Sequence, residues 1–494
     1  MMASAALPRL GATALLRLPP EVQRPDFDPA AIRFGVVHIG PGAFHRAHQA
    51  LYFDDLLAAH PQWGICAVSL HSAQVRDSLR PQDGLYAVQL LAERPVLRVV
   101  GSIRELLFAP EEQSAVLARL SDPAVKLVTL TITEKGYCLA GEDLDLAHPD
   151  IAHDLATPAT PRSAIGYLFA GLRLRHAHHA APFTVLSCDN LASNGHRLRR
   201  AVVQFARRVD PVVADWIDTQ VAFPCSMVDS ITPATSADLR ERVAVALGHT
   251  DAWPVQREAF TQWVVENRFC NARPPLELAG VTLSDDIAGY DRAKLRLLNG
   301  AHSTLAYLGA LLELQTVGDA MQCVPLAAFV ERLMRQSVAP VIRLPDGLDA
   351  PAYIKAILAR FRNPAVHHRL LQIAWDGSQK LPVRLLSTIG ETLQQGRDVE
   401  PPCLAIAAWL RFVRRQALAG VPLVDPLDES LRAIGAGTSG EAMHDVPAFL
   451  ALDAVFGALA KDPRFVASLQ RAYASLGDGS AAAILRALQA ALAR

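Results

Sequence analysis

Through the first half of the chain, short apolar and β-branched runs are interleaved with longer stretches whose apolar positions recur at helical spacing. Arg33 to Ile39, Gly64 to Leu70, Val96 to Val100, Val125 to Thr133 and Phe183 to Ser187 read as strands. Between them Arg46 to Ala59, Ala115 to Leu120 and Ala164 to Arg175 read as helices. Strands alternating with helices predict an α/β domain with a doubly wound, mostly parallel sheet. After about residue 285 the texture becomes rich in Leu, Ala and Arg at helical period, as in Lys294 to Leu312, Leu326 to Gln336, Leu404 to Ala417 and Ala481 to Leu492. A mainly α-helical second domain is expected, dividing the chain into 1–285 and 286–494. Pro340 to Pro351 and Pro422 to Pro426 read as loops.

A chain of 494 residues, 51% apolar and 20% charged, can bury two substantial cores. Its 48 Lys plus Arg balance 49 Asp plus Glu, so no global field draws in nucleic acid or an anionic membrane surface. No uninterrupted apolar run reaches the roughly 20 residues that span a bilayer. The seven cysteines are scattered and odd in number, the usage of reduced thiols, and a cytoplasmic location is expected. Met1 to Pro20 has an apolar stretch, Ala12 to Leu16, that Arg17 cuts short of a signal-peptide core; it reads as a poorly ordered tail, with a weak targeting role left open.

Gly40-Pro41-Gly42-Ala43-Phe44-His45 follows the first strand and opens a helix, where a Rossmann-like fold turns backbone amides toward a pyrophosphate. Val37, Ile39, Gly40, Gly42, Phe44, His45 and Arg46 are therefore the candidate cofactor residues. His45 stands at the third glycine position, and a tight strand-to-helix turn is the competing reading. After the second strand Gln74 can bond a ribose hydroxyl and Arg76 can meet a 2′-phosphate, so NAD is expected and NADP stays open.

Lys294-Leu-Arg-Leu-Leu-Asn299-Gly-Ala-His302 carries the most telling chemistry. On an α-helix, steps of about 100° set His302 about 80° from Lys294 and Asn299 about 60° beyond it, so all three can address one pocket. A lysine normally titrates near ~10.4 and becomes a base only when burial or a neighbouring cation lowers that value. A surface lysine, helix punctuation at Asn299 and a core histidine are the plainer readings. A second amide-bearing motif, Ser187-Cys188-Asp189-Asn190, ends an apolar strand, where doubly wound sheets bind ligands. Asn190 and Asn299 can then grip an oxygen on which negative charge accumulates. Asp229 can orient substrate or pair with the lysine, and equally can cap a helix or close a turn. His45 with His48, and His176 with His178 and His179, lack the carboxylate or cysteine that would complete a metal set, so no metal is expected. Cys188 and Cys225 read as small buried apolar residues.

At these residues the chain resembles the polyol-specific long-chain dehydrogenases, the mannitol 2-dehydrogenase and fructuronate reductase family. The matching segments are Gly40 to Gln49, Thr131 to Tyr137, Ser187 to Asn190, Phe223 to Pro233, Lys294 to Ser303 and Asp376 to Pro382. The resemblance implies metal-independent hydride exchange between a nicotinamide and a secondary alcohol or ketone, with Lys294 as general acid/base. It makes Asn190 and Asn299 the oxyanion clamp, His302 a substrate-positioning partner, Lys380 a substrate-side lysine and Asp291 a proton relay to water. Ser230 departs from the family's arginine after Val-Asp, which makes the role of Asp229 less secure. Since the family includes monomers, the lean is to a monomer.

Gln372 to Arg384, Trp63 to Cys66 and Glu134 to Cys138 resemble the uronate branch, whose members interconvert D-mannonate and D-fructuronate. A hexuronate adds a carboxylate, which arginine recognises through paired hydrogen bonds. Arg384 is the candidate; Arg296 points about 160° from Lys294 on an α-helix. The alternative is a mannitol or arabitol dehydrogenase acting on a neutral polyol. A redox sensor has no need of a base, and a helical scaffold conflicts with the strand-glycine-helix opening.

Overall fold

Five strands, Phe34–Ile39 (β1), Gly64–Ser69 (β2), Ile103–Phe108 (β3), Leu127–Leu130 (β4) and Thr184–Ser187 (β5), form one sheet in the order β3-β2-β1-β4-β5. All four pairings are parallel. Val36 packs into the core on one face of β1, and Val37 and Ile39 into the core on the other, as a strand covered on both sides requires. The strand order reverses direction between β1 and β4, which places the topological switch point at their carboxyl ends. The expected doubly wound sheet is present. The computed structural model describes residues 7–92 and 94–493, in two units, Met1–Ala288 and Gly289–Arg494.

Two expectations for the first unit are corrected. Val96–Val100 does not join the main sheet; it runs antiparallel to Tyr86–Leu91, which pairs on its other side with Val255–Glu258. Its middle residue, Arg98, is ion-paired to Asp54 and Asp55, and a charged, half-exposed position suits a one-sided antiparallel sheet better than a parallel interior. Ile103–Phe108 takes the edge of the main sheet instead. The tail is likewise ordered from residue 7: Leu10, Ala14, Leu18 and Val22 are buried against Leu85, Ala87, Val99 and Leu239. The Leu10 amide donates to the Thr250 carbonyl at 2.9 Å. Residues 1–6 lie outside the described residues.

The second unit is helical. Glu400–Leu418 runs through its centre with Pro402 to Val413 buried, and Gly300–Leu311, Asp428–Ala436 and Pro463–Ser475 pack around it. A helix apolar all round is a core helix. Among the described residues no single helix is long and apolar enough to cross a membrane; a bent pair, Ala442–Leu450 with Asp453–Lys461, passes only in combination.

Candidate active site

In the first unit, Gly40 takes φ +91°, a conformation that glycine adopts without strain, and a side chain there would collide with the Thr131 carbonyl. Gly42 is different. A Cβ on it would meet nothing nearer than the Gly40 carbonyl at 3.9 Å, so no protein contact demands glycine, and the open space suits the close approach of a pyrophosphate. Both glycines line a cleft of about 540 Å³ together with Ser69, His71, Gln74 and Thr131. A second cleft of about 470 Å³ shares His71 and Asp150 with it and extends to Arg162. The first lies at the switch point and, with its neighbour, offers the elongated space a dinucleotide needs.

The remaining cofactor candidates do not line that cleft. Val37 and Ile39 are fully buried core residues. Phe44 is partly buried and stacks on His48. His45 is buried and stacked on His38 with ring centroids 3.3 Å apart. Burial with neighbouring cationic groups holds its pKa well below the ordinary histidine value. Arg46 is also buried; it donates to the Trp253 carbonyl at 2.6 Å and sits over the Trp253 and Tyr86 rings, so it braces the turn from behind. Gln74 faces the cleft. Arg76 does not stand free: it is paired with Asp77 at 2.7 Å, Glu111 at 2.6 Å and Glu112 at 3.4 Å.

Asn190 follows β5 at the exposed end of its loop, and Asp229 closes the strand Ser226–Asp229, where it is buried. Two residues that sequence reasoning passed over fix these positions. Asp189 accepts the Ile132 and Thr133 amides at 2.9 and 3.0 Å and the Tyr137 hydroxyl at 2.7 Å, tying the Asn190 loop to the one after β4. Asn194 donates to the Asp189 and Ser226 carbonyls at 3.1 and 2.8 Å and accepts the Ser226 amide at 3.0 Å. It joins the Asn190 loop to the strand bearing Asp229. Their position in and just after Ser187-Cys188-Asp189-Asn190 was the available signal.

In the second unit, Lys294–Asn299 is a π-helical turn between the helices Ile287–Ala293 and Gly300–Leu311. Hydrogen bonds from i to i+5 widen the turn, so the 100° step assumed from the sequence does not hold there; π-turns of this kind recur at functional sites. Lys294 and Asn299 are half-buried. Burial raises the Asp291 carboxyl from its ordinary value of 3.8 to about 6, and the Lys294 ammonium beside it draws that value down. Arg296 turns away, donating to Thr388 Oγ1 at 2.9 Å and pairing with Glu391 at 2.9 Å.

Lys380 lies on Gly377–Leu381 and Arg384 on a second π-turn, Pro382–Leu386, that packs against Lys294–Asn299. Gly300 permits the approach, since a Cβ there would stand 3.1 Å from the Arg384 carbonyl. Arg384 Nη1 donates to Ser303 Oγ at 3.1 Å. Lys380 Nζ donates to the Trp375 carbonyl at 2.6 Å and lies 3.7 Å from Asp376. Burial lowers the pKa of both, and Arg384 lowers that of Lys380 further. His302 is buried, and its neutral form is favoured by burial and then by the positive charges of His368, Arg360 and Arg384.

Among the described residues one set of donors could hold a metal ion: His196, Cys225 and Glu266, with ligand atoms within 4.8 Å of one another. Glu266 is already engaged by the Cys225 amide at 2.8 Å, and His196 is exposed.

Residues 34–278 match the model of the mannitol dehydrogenase Rossmann domain, and residues 286–477 match that of the mannitol dehydrogenase C-terminal domain. The chain is 40% identical over 488 residues to the uncharacterized oxidoreductase YeiQ of Escherichia coli (strain K12), covering 96% of this chain and 99% of that one. It is 40% identical over 479 residues to the D-mannonate oxidoreductase of the same organism, covering 94% and 98%. The mannitol 2-dehydrogenase of Pseudomonas fluorescens, solved as a ternary complex with NAD and D-mannitol, superposes with TM-score 0.79 at 36% identity, over 98% of this chain and all of that one.

Proposed function

The chain belongs to the mannitol dehydrogenase family of oxidoreductases, and from that premise we propose that it interconverts a hexuronate and its hexonate, D-fructuronate and D-mannonate, with NAD. The observation that carries the chemistry is the pairing of Asp291, on the helix Ile287–Ala293, with Lys294 at the start of the π-turn that also holds Asn299. A carboxyl held near 6 beside a half-buried lysine can take a proton from it and pass one back in the physiological range.

NAD, held in the cleft that Gly40 and Gly42 line, would supply hydride to the ketone carbon in one direction and accept it in the other. Lys294 gives a proton to the carbonyl oxygen as that oxygen gains negative charge, and takes it back in the reverse reaction. Asn299, on the same turn, donates to the oxygen, and the family resemblance gives Asn190 the role of second donor. Asp291 returns the proton to Lys294 from water. Asp229 orients the substrate, and His302 and Lys380 bond its hydroxyls. No step requires a metal ion.

Arg384 supports the sugar acid over the neutral polyol. It is half-buried, among the described residues one of its five N–H groups donates to a protein group, Ser303 Oγ, and a planar guanidinium suits a carboxylate. The 40% identity to a D-mannonate oxidoreductase points the same way. NAD is favoured over NADP because Arg76, the natural partner for a 2′-phosphate, is already neutralised by Asp77, Glu111 and Glu112. The second reading, a mannitol 2-dehydrogenase, draws on the likeness to the Pseudomonas enzyme. Oxidation of NADH and NADPH with fructuronate, tagaturonate, fructose and xylulose separates them: kcat/KM is expected to be highest for fructuronate with NADH. A ranking led by fructose would replace the hexuronate reading by the neutral one.

A further inference from the structure

Next to Arg384, the His302 ring is held between Phe361, at 4.5 Å between centroids, and His368, which meets it edge-on at 5.3 Å and 79°. His302 Nε2 and His368 Nδ1 are both enclosed, and among the described residues neither has a hydrogen-bonding partner. His302 as a whole is 7% exposed. A buried polar atom left unmade costs the protein its desolvation, so two of them side by side call for a ligand.

The charges around the pair say which kind. Those acting on His302 come from His368, Arg360 and Arg384, and the one acting on His368 comes from Lys380; all are positive or become so on protonation. The two imidazoles therefore stay neutral, each with one N–H to give and one bare nitrogen. A neutral polyol gains little from such a field, whereas a carboxylate gains from its cations, Arg360, Arg384 and Lys380.

Resting on the hexuronate reading, we propose that His368 is a second recognition residue for the substrate carboxylate. Its Nδ1–H donates to one carboxylate oxygen while the Arg384 fork binds the other. His302 Nε2 meets the adjoining hydroxyl. Arg384 alone would tolerate any anion within reach; the histidine adds a fixed direction and so selects the acid at one end of a six-carbon chain.

The test is the affinity of the NADH-bound enzyme for D-mannonate and for D-mannitol by calorimetry, with kcat and KM for fructuronate, in His368→Leu, His368→Asn and His368→Gln. His368→Leu should weaken mannonate binding and raise the fructuronate KM by about 10-fold or more, with kcat and mannitol affinity nearly unchanged. His368→Asn, whose amide N–H can occupy the place of Nδ1–H, should recover most of the loss. His368→Gln, which offers its N–H at the Nε2 position, should not, so the comparison stands even if the leucine variant fails to fold. Equal weakening of both ligands, no weakening of either, or equal rescue by Gln and Asn overturns the assignment. A wild-type enzyme that does not reduce fructuronate removes the hexuronate reading itself, a result obtained before any variant is made.

Discussion

Lys294 owes its proposed chemistry to its neighbours as much as to its own ammonium group. If Asp291 exchanges protons with it, the pH profile must show the carboxyl. Asp291 is raised from 3.8 to about 6, so as pH falls through about 6 it takes up a proton and can no longer accept one from the lysine. The kcat for mannonate oxidation should fall on the acid side with a limb near 6, and Asp291→Asn should lose that limb and turn over more slowly; an unchanged limb excludes the relay. Asn299→Ala and Asn190→Ala should each lower kcat on the order of 100-fold, the size of one lost oxyanion donor. Near-normal turnover in either would remove that residue from the clamp. Arg384→Ala should raise KM for fructuronate far more than for fructose, and equal effects would refute the carboxylate role. Lys294, Asn299, His302 and Asn190 stand out in the sequence as polar side chains in apolar stretches, but the roles proposed for them rest on the family resemblance rather than on that pattern. Asp189, Asn194 and His368 were not legible, because their importance lies in partners that are far away in sequence, up to 57 residues for Asp189.

At the scale of elements, the turn that carries Lys294 shows what periodicity leaves out. A π-turn leaves the apolar rhythm almost intact while changing the angle of every side chain across it, so the helix was readable and its facing was not. In the first unit, the strands fully buried in the parallel sheet announced themselves as apolar runs. Val96–Val100 carried the same composition, and only the ion pairs of Arg98 with Asp54 and Asp55 reveal its one-sided sheet. Asn194 is the element-scale joint, bridging β5's loop to the strand Ser226–Asp229. Asn194→Ala leaves several buried backbone groups unpaired at about 1–3 kcal/mol each. Thermal unfolding of that variant should begin several degrees lower, and kcat should fall through displacement of Asn190; unaltered melting would show that water or relaxation satisfies those groups.

For the whole molecule, the sequence pattern located the change of texture near residue 285, where β-branched runs give way to helical Leu and Ala, because the two units bury their cores by different periodicities. Cofactor choice was not legible there, since Arg76 reads as a phosphate ligand until Glu111 and Glu112, 35 and 36 residues on, are seen against it. Replacing Asp77, Glu111 and Glu112 together by alanine should release Arg76 and narrow the NADH to NADPH preference in kcat/KM; an unchanged preference would place the discrimination elsewhere. The expectations for turnover assume that one lysine moves the proton. The direct measurement is the rate of hydride transfer in a single turnover of Lys294→Ala with NADH and fructuronate, followed by loss of nicotinamide absorbance. The account predicts a fall of about 10²- to 10⁴-fold with NADH affinity preserved. A rate close to that of the unaltered enzyme would contradict it.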